Sequence, residues 1–168
     1  MRILLRKLVF VSIVFFVSSQ ALIAQPPSFA WVKTAGSNTN TFETAADMLF
    51  DADNSVVTAG TFYSTVDFDP GTGVFNLSSN GASDVVIVKY TRNGHFMWAK
   101  SIGGTFDDFV EVIKRDNQGN MYLLGRFQST VDFDPGPAVF NQTNTGGTNT
   151  YILKLDKDGN FLWVKIFR

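Results

Sequence analysis

The chain has 168 residues, of which 45% are hydrophobic and 17% charged, and its net charge is −1. That is globular usage without the basic excess that gathers phosphates, so nucleic acid is not an expected partner. There is no cysteine and one histidine, which excludes disulfide staples, acylation at an N-terminal cysteine and the usual zinc ligand sets.

Arg2, Arg6 and Lys7 precede an apolar run over residues 8–17 that only Ser12 interrupts, and Ser18-Ser19-Gln20-Ala21 then lead to Ala24-Gln25. This is the charged, apolar and small-residue order of a secretory signal peptide, with an apolar core too short to span a bilayer comfortably. Residues 1–24 are therefore expected to be removed, leaving 25–168 as the folded part, with no stable membrane span. Their loss removes three positive charges and takes the net charge from −1 to about −4.

Phe29-Ala30-Trp31-Val32-Lys33 reads as a strand, and the polar run 37–41 as a loop. Beyond it the chain repeats itself. Ser64-Thr65-Val66-Asp67-Phe68-Asp69-Pro70-Gly71 returns letter for letter as Ser129-Thr130-Val131-Asp132-Phe133-Asp134-Pro135-Gly136, 65 positions later. Everything between the two copies is one structural unit. Its first strand is 45–50, matched by 109–115; its second is 56–62, matched by 121–127. An excursion through the octapeptide and Val74-Phe75-Asn76 or Val139-Phe140-Asn141 follows. The third strand, 85–90, is apolar almost without alternation and so reads as covered on both faces; its counterpart is 151–155. A turn at Arg92-Asn93-Gly94 or Lys157-Asp158-Gly159 leads to the fourth strand, 96–100 or 161–165.

No window sustains the three-to-four spacing of an amphipathic helix, so the fold class is all-β. Four-stranded antiparallel units stacked face to face make a β-propeller. Two blades are expected, at about 42–103 and 107–168, together with the Trp31 strand. That strand has no blade within the chain to complete, so the expected object is an incomplete propeller, the opening part of a longer one, and its open blade faces favour self-association.

The phrases Gly-Asn-Phe-Leu-Trp-Val-Lys, Asp-Asn-Gln-Gly-Asn-Met-Tyr followed by Gly-Arg-Phe, and Val-Asp-Phe-Asp-Pro-Gly resemble the bacterial β-propeller repeat family often called SBBP, over residues 29–168. The resemblance implies an exported, surface or extracellular protein and no assigned chemistry.

Trp31, Trp98 and Trp163 recur in the fourth strand, with Gly94 and Gly159 four residues before the latter two. Periodicity favours rings wedged between blades over sugar platforms. Asp67 with Asp69, and Asp132 with Asp134, share one face of an extended segment, which suits a calcium ion or a glycosidase pair. The preferred reading is a turn in which Asp69 caps its own backbone and Phe68 tucks inward, because calcium wants six or more oxygens and a catalytic pair is needed once. Asp156-Lys157-Asp158-Gly159-Asn160 begins like an EF-hand loop but lacks the closing Glu, and His95 has no partner with which to build a triad. Asn76-Leu77-Ser78 and Asn141-Gln142-Thr143 match the glycosylation sequon and are read as coincidence.

The expected function is a non-enzymatic binding or scaffolding module, secreted or at the cell surface, for a protein or glycan ligand the sequence does not name. The alternative is part of a carbohydrate-binding or carbohydrate-active propeller. No catalytic residue, metal site or cofactor is expected, and no ligand-binding residue is singled out. Catalysis would break the repeat symmetry, and the nearest departures are Glu111 opposite Ala46 and Asp108 opposite Glu43. Intact-mass analysis of exported protein is expected to show residues 1–24 missing; retention of Met1 would remove the secreted reading.

Overall fold

The computed structural model describes residues 31–32 and 44–168, and among them there are ten strands and no helix. The first repeat supplies β1 (Thr44–Phe50), β2 (Val56–Asp67), β3 (Asn76–Tyr90) and β4 (Phe96–Gly104). The second supplies β5 (Phe109–Arg115), β6 (Met121–Phe127), β7 (Thr130–Asp132), β8 (Asn141–Thr143), β9 (Asn149–Leu155) and β10 (Phe161–Phe167). Every pairing is antiparallel, and the four main strands of each repeat lie side by side in chain order, as propeller-type blades. The two sheets do not close into a ring. The expected signal peptide and most of the expected strand at 29–33 fall outside the described residues. Trp31 and Val32, which are described, lie in no strand: Trp31 is held by its side chain, the indole N–H donating to Arg92 O at 2.8 Å, rather than by a ladder.

The turns follow from their residues. Thr91 N–H donates to His95 O and Gly94 N–H to Thr91 O, and Asp156 with Asn160 and Gly159 repeats both bonds. That closure puts Gly94 and Gly159 at φ +77°, where a Cβ would be strained. Each first strand carries a bulge, between Ala45 and Asp47 and between Val110 and Val112. Opposite the second bulge a Cβ on Gly125 would stand 2.0 Å from Phe109 O and 2.5 Å from the Tyr151 hydroxyl, which itself donates to Phe109 O. The glycine makes room for that buried hydroxyl to find its acceptor.

The sequence places the octapeptide in an excursion from its own blade; in the second repeat it leaves that blade altogether. Ser64 and Ser129 take left-handed backbone, φ 60° and 57°, and the chain bends there. Beyond Ser129, β7 and β8 pair with each other, and β7 pairs with β4 of the first repeat through Gly103 with Asp132 and Gly104 with Val131. The first sheet thereby has six strands, in the order β1-β2-β3-β4-β7-β8, and the second has four. An arm of the second repeat extends the sheet of the first because β4 runs on to Gly104 with an unpaired edge, and unpaired N–H and C=O groups recruit a strand.

The core lies mainly between the blades. Val57, Ala59, Val85, Ile87 and Ile102 of the first pack against Ile113, Leu123, Phe127, Phe133, Tyr151 and Leu153 of the second. A second cluster, Phe62, Val66, Phe68, Val86, Val88 and Tyr90, covers the other face of the first blade. The third strand is therefore buried on both faces in the first repeat, whereas β9 alternates between buried and half-buried. Gly125→Ala is expected to destabilise the fold by about 3 kcal/mol, as severe overpacking does, measured by urea denaturation; a loss under about 1 kcal/mol would mean that the bulge yields.

Candidate functional site

Of the groups the sequence offers for chemistry, the paired aspartates of the repeated loops have the clearest geometry. Asp67 Oδ1 accepts from Asp69 N at 3.0 Å and Phe75 N at 2.8 Å, while Asp69 Oδ1 accepts from Gly71 N at 2.8 Å. Asp132 Oδ1 accepts from Asp134 N at 3.0 Å and Phe140 N at 2.8 Å, and Asp134 Oδ1 from Gly136 N at 2.8 Å. Phe68 and Phe133 are buried beneath them. Each first aspartate ties two strand ends together and each second one closes a turn, so these carboxylates act on backbone donors. Among the described residues no group of three or more His, Asp or Glu side chains is disposed to hold a metal ion.

The other candidates resolve in the same way. Asp156 Oδ1 accepts from Asp158 N and Asn160 N, a hairpin cap. His95 is exposed beside its turn. Glu111 accepts from Arg126 Nε at 2.7 Å on the surface, with both side chains about half exposed. Asn76 and Asn141 are exposed, and Ser78 and Thr143 of their sequons share hydroxyl hydrogen bonds with Thr65 and Thr130. Glu43 lies outside the described residues.

Of the three tryptophans, Trp98 acts between the blades, whereas the Trp163 ring lies 6.0 Å from Tyr122 of its own sheet. A Cβ on Gly159 would lie 3.1 Å from Cη2 of Trp98, so the first blade's ring rests on the second blade's turn. Lys100 Nζ donates to Gly159 O at 2.9 Å and Asn160 Oδ1 at 3.1 Å beside it. A Cβ on Gly94 would likewise lie 2.9 Å from Cδ2 of Trp31. Each glycine thus receives the tryptophan that precedes it by 63 or 61 residues, and not the one four residues further on.

The same joint gathers three carboxylates, of which Asp84 and Asp108 are buried and Asp107 is half-buried. Asp108 is 1% exposed; its Oδ2 accepts from Gly104 N at 2.7 Å and its Oδ1 from Gln128 N at 3.2 Å, tying the end of β4 to the start of the crossing arm. Asp107 Oδ1 accepts from the Ser83 hydroxyl at 2.8 Å. Asp84 is fully buried: its Oδ2 accepts from Asn80 N at 3.0 Å, and its Oδ1 has no partner. Its carboxyl stands where a Cβ on Gly103 would be. Burial pushes the Asp84 carboxyl up to about 6 against the bond from Asn80. Burial also raises Asp108 to about 7, against its two backbone donors and with the negative charges of Asp84 and Asp107 adding to the rise.

The sequence reading singled out Asp108 and missed Asp84. The signal was present: 65 positions beyond Asp84 stands Asn149, a neutral isostere at the same register. Titratable groups with raised values in a shared dry site are what acid–base catalysis uses, but here they line a closed interblade joint. A shallow depression nearby is lined by Thr143, Asn144, Thr145, Gly146, Asn149 and Arg168, without a carboxylate or imidazole.

No family model matches the chain, and no solved structure matches it. Among curated proteins, the uncharacterized WD repeat-containing protein L264 of Acanthamoeba polyphaga mimivirus is 26% identical over 139 residues, covering 69% of this chain and 10% of that protein. The chain spans about a tenth of that relative's length. WD repeats are four-stranded propeller blades, so the likeness is one of repeat type and agrees with the two blades. It supports a β-propeller-type repeat protein and does not extend to the SBBP-type family.

The buried carboxyls set a pH dependence whose sign can be worked out. Both are raised, so between about pH 4 and 7 the folded chain binds protons that the unfolded chain has released; stability is greatest at the acidic side of this window and is lost as pH rises through about 6 and 7. Asp84→Asn, which copies Asn149, is expected to stabilise by on the order of 2 kcal/mol at pH 7.5 and by little at pH 4.5, read from thermal melts. A variant less stable than the parent at pH 7.5 would show instead that the charge has a partner.

Proposed function

We propose that the protein is an exported, non-enzymatic propeller repeat module that binds or scaffolds at the cell surface or outside the cell. The observation that carries this reading is an apolar knob repeated on both blades. Val74 and Val139 are 72% and 70% exposed at the tips of the two arms, beside Phe75 and Phe140, whose rings lie 4.9 Å from Phe96 and 4.7 Å from Phe161. Exposed apolar side chains held in fixed, repeated positions suit a surface that engages a partner at more than one point. The interior is under no such identity: Val86 stands opposite Tyr151 and Thr58 opposite Leu123. The signal-like N-terminus supports export, and the capping work of the loop aspartates favours a structural over a catalytic use.

Fractionation of expressing cells, with protease shaving of intact cells, a glycan array and a panel of glycoside substrates, tests the proposal. Protein outside the membrane, no turnover, and loss of surface retention in a Val74→Asp, Val139→Asp variant with an unchanged melting temperature are expected. Glycoside hydrolysis that disappears in Asp108→Asn would overturn the non-enzymatic reading.

A further inference from the structure

Asp84 and Asn149 hold the same place in the two repeats, opposite Phe62 and Phe127. In the second blade that place is filled by an amide. In the first it is filled by a carboxyl that is 0% exposed and has one donor, Asn80 N, for its two oxygens. A buried charge with an unsatisfied oxygen is costly, and the twin shows that the fold is built equally well without it.

The surroundings of Asp84 are the splice between the blades. Its carboxyl stands where a Cβ on Gly103 would be. Gly103 pairs with Asp132 and Gly104 with Val131, and these two pairs are the whole β4–β7 ladder. Asp108 closes the same place, holding Gly104 N and Gln128 N with its two oxygens and donating its own N–H to Ser83 O at 2.8 Å. The titratable groups that face the two carboxyls come from three further elements. Asp107, in the connection between the blades, is held by the Ser83 hydroxyl. Asp132 of β7 lies opposite Gly103 and accepts from Asp134 N and Phe140 N. Tyr151 of β9, whose hydroxyl burial keeps neutral, donates to Phe109 O. Glu111 of β5 acts on Tyr151 and is paired with Arg126 of β6 at the surface. Among the described residues no salt bridge reaches Asp84, Asp107 or Asp108. A charge that forms on Asp84 is therefore met by other carboxylates, and water is what can relieve it.

We propose that the β4–β7 splice is a pH-operated latch: it is closed while Asp84 is protonated, and ionisation of Asp84 opens the ladder at Gly103 and Gly104 so that water reaches the orphaned oxygen. Opening falls there because two residue pairs hold the splice, against six or more in each ladder within the blades, and because its β4 side is two glycines. Val131 and Phe133 of the arm are 1% and 0% exposed, so the opening is local and leaves the apolar joint in place. Its effect is to loosen the arm that carries Val139 and Phe140. Burial raises Asp84 to about 6 and Asp108 to about 7. The closed joint keeps protons that the open one releases, so opening is rarest near pH 4, grows as pH rises through 6 and 7, and is level above. The latch goes beyond the binding reading and does not rest on it.

Native-state hydrogen exchange on the full chain between pH 4.5 and 7.5, corrected for intrinsic exchange rates, is the test. The amides of Gly104 and Gln128 are expected to exchange independently of low urea, the mark of local opening, and faster than those of β2, β3 and β6. Over that range their protection should fall on the order of thirtyfold further in the parent than in Asp84→Asn, since a carboxyl raised from 3.8 to about 6 contributes tenfold per pH unit from pH 4.5 to 6. Asp84→Ser, smaller and equally neutral, gives a second reading of the same difference, and cooperative thermal melts confirm that each variant folds. Protection of Gly104 and Gln128 equal to that of the blade strands would overturn the latch, as would a fall with pH that is the same in the parent and in the neutral variants.

Discussion

The joint between the two blades is keyed by an indole lying on a turn that has no Cβ. Trp98 can rest against Gly159 because the hairpin needs a left-handed residue there, and that conformation selects glycine. One residue thus serves two ends, closing its own hairpin and forming the floor on which the preceding blade sits. Lys100 fixes the approach by donating to the same residue's carbonyl. With the ring in place, Ile87 and Ile102 come against Leu153 and Tyr151, and the largest apolar cluster forms between sheets rather than within either. A flat antiparallel sheet has two faces to hide, and stacking hides one face of each of two blades at a stroke.

The closeness of that stacking is also what makes its polar groups costly. Asp108 is held by two backbone donors because it is the splice between β4 and the crossing arm, and Asp107 is held by Ser83 for the same local reason. Asp84 has one donor for two oxygens, so burial raises its carboxyl, and its charge in turn adds to the rise at Asp108. Elsewhere the fold pairs its buried charges: Lys89 donates to Asp51 at 2.5 Å with both side chains largely enclosed. The joint is therefore the place where packing and electrostatics pull in opposite directions, and proton uptake is the means by which they are reconciled.

Much of this was written plainly in the sequence, for physical reasons. Turn chemistry at Asn93-Gly94 and Asp158-Gly159 and the apolar run 85–90 are local signals, and the strands and hairpins follow from them. The identity of the two octapeptides made the repeat unmistakable, and the structure gives both loops the same hydrogen bonds. What could not be read was direction. Gly94 lies four residues from Trp98 in sequence, yet it serves Trp31, because spacing says nothing about which copy of a motif meets which. The crossing of β7 onto β4 was hidden for a related reason: Ser64 and Ser129 bend alike within identical octapeptides, and only the second arm meets the end of β4. Asp84 escaped notice because a lone aspartate before an apolar strand looks like a strand-end residue until its burial is known.

The crossing arm changes what kind of mechanical object the chain is. In a simple stack, each repeat touches its neighbour face to face and can be peeled away whole, so stability is a sum of units and contacts. Here residues 130–132 are threaded into the neighbouring sheet while residues 121–127 stay in their own, so the two blades are stitched as well as stacked. A force that draws the second blade off the first must shear the β4–β7 ladder before the apolar faces can part, and a nascent second blade cannot finish folding until β4 is in place to receive its arm. Loss of order in one blade has a route to the other through the backbone itself, so the pair is expected to melt as one cooperative unit.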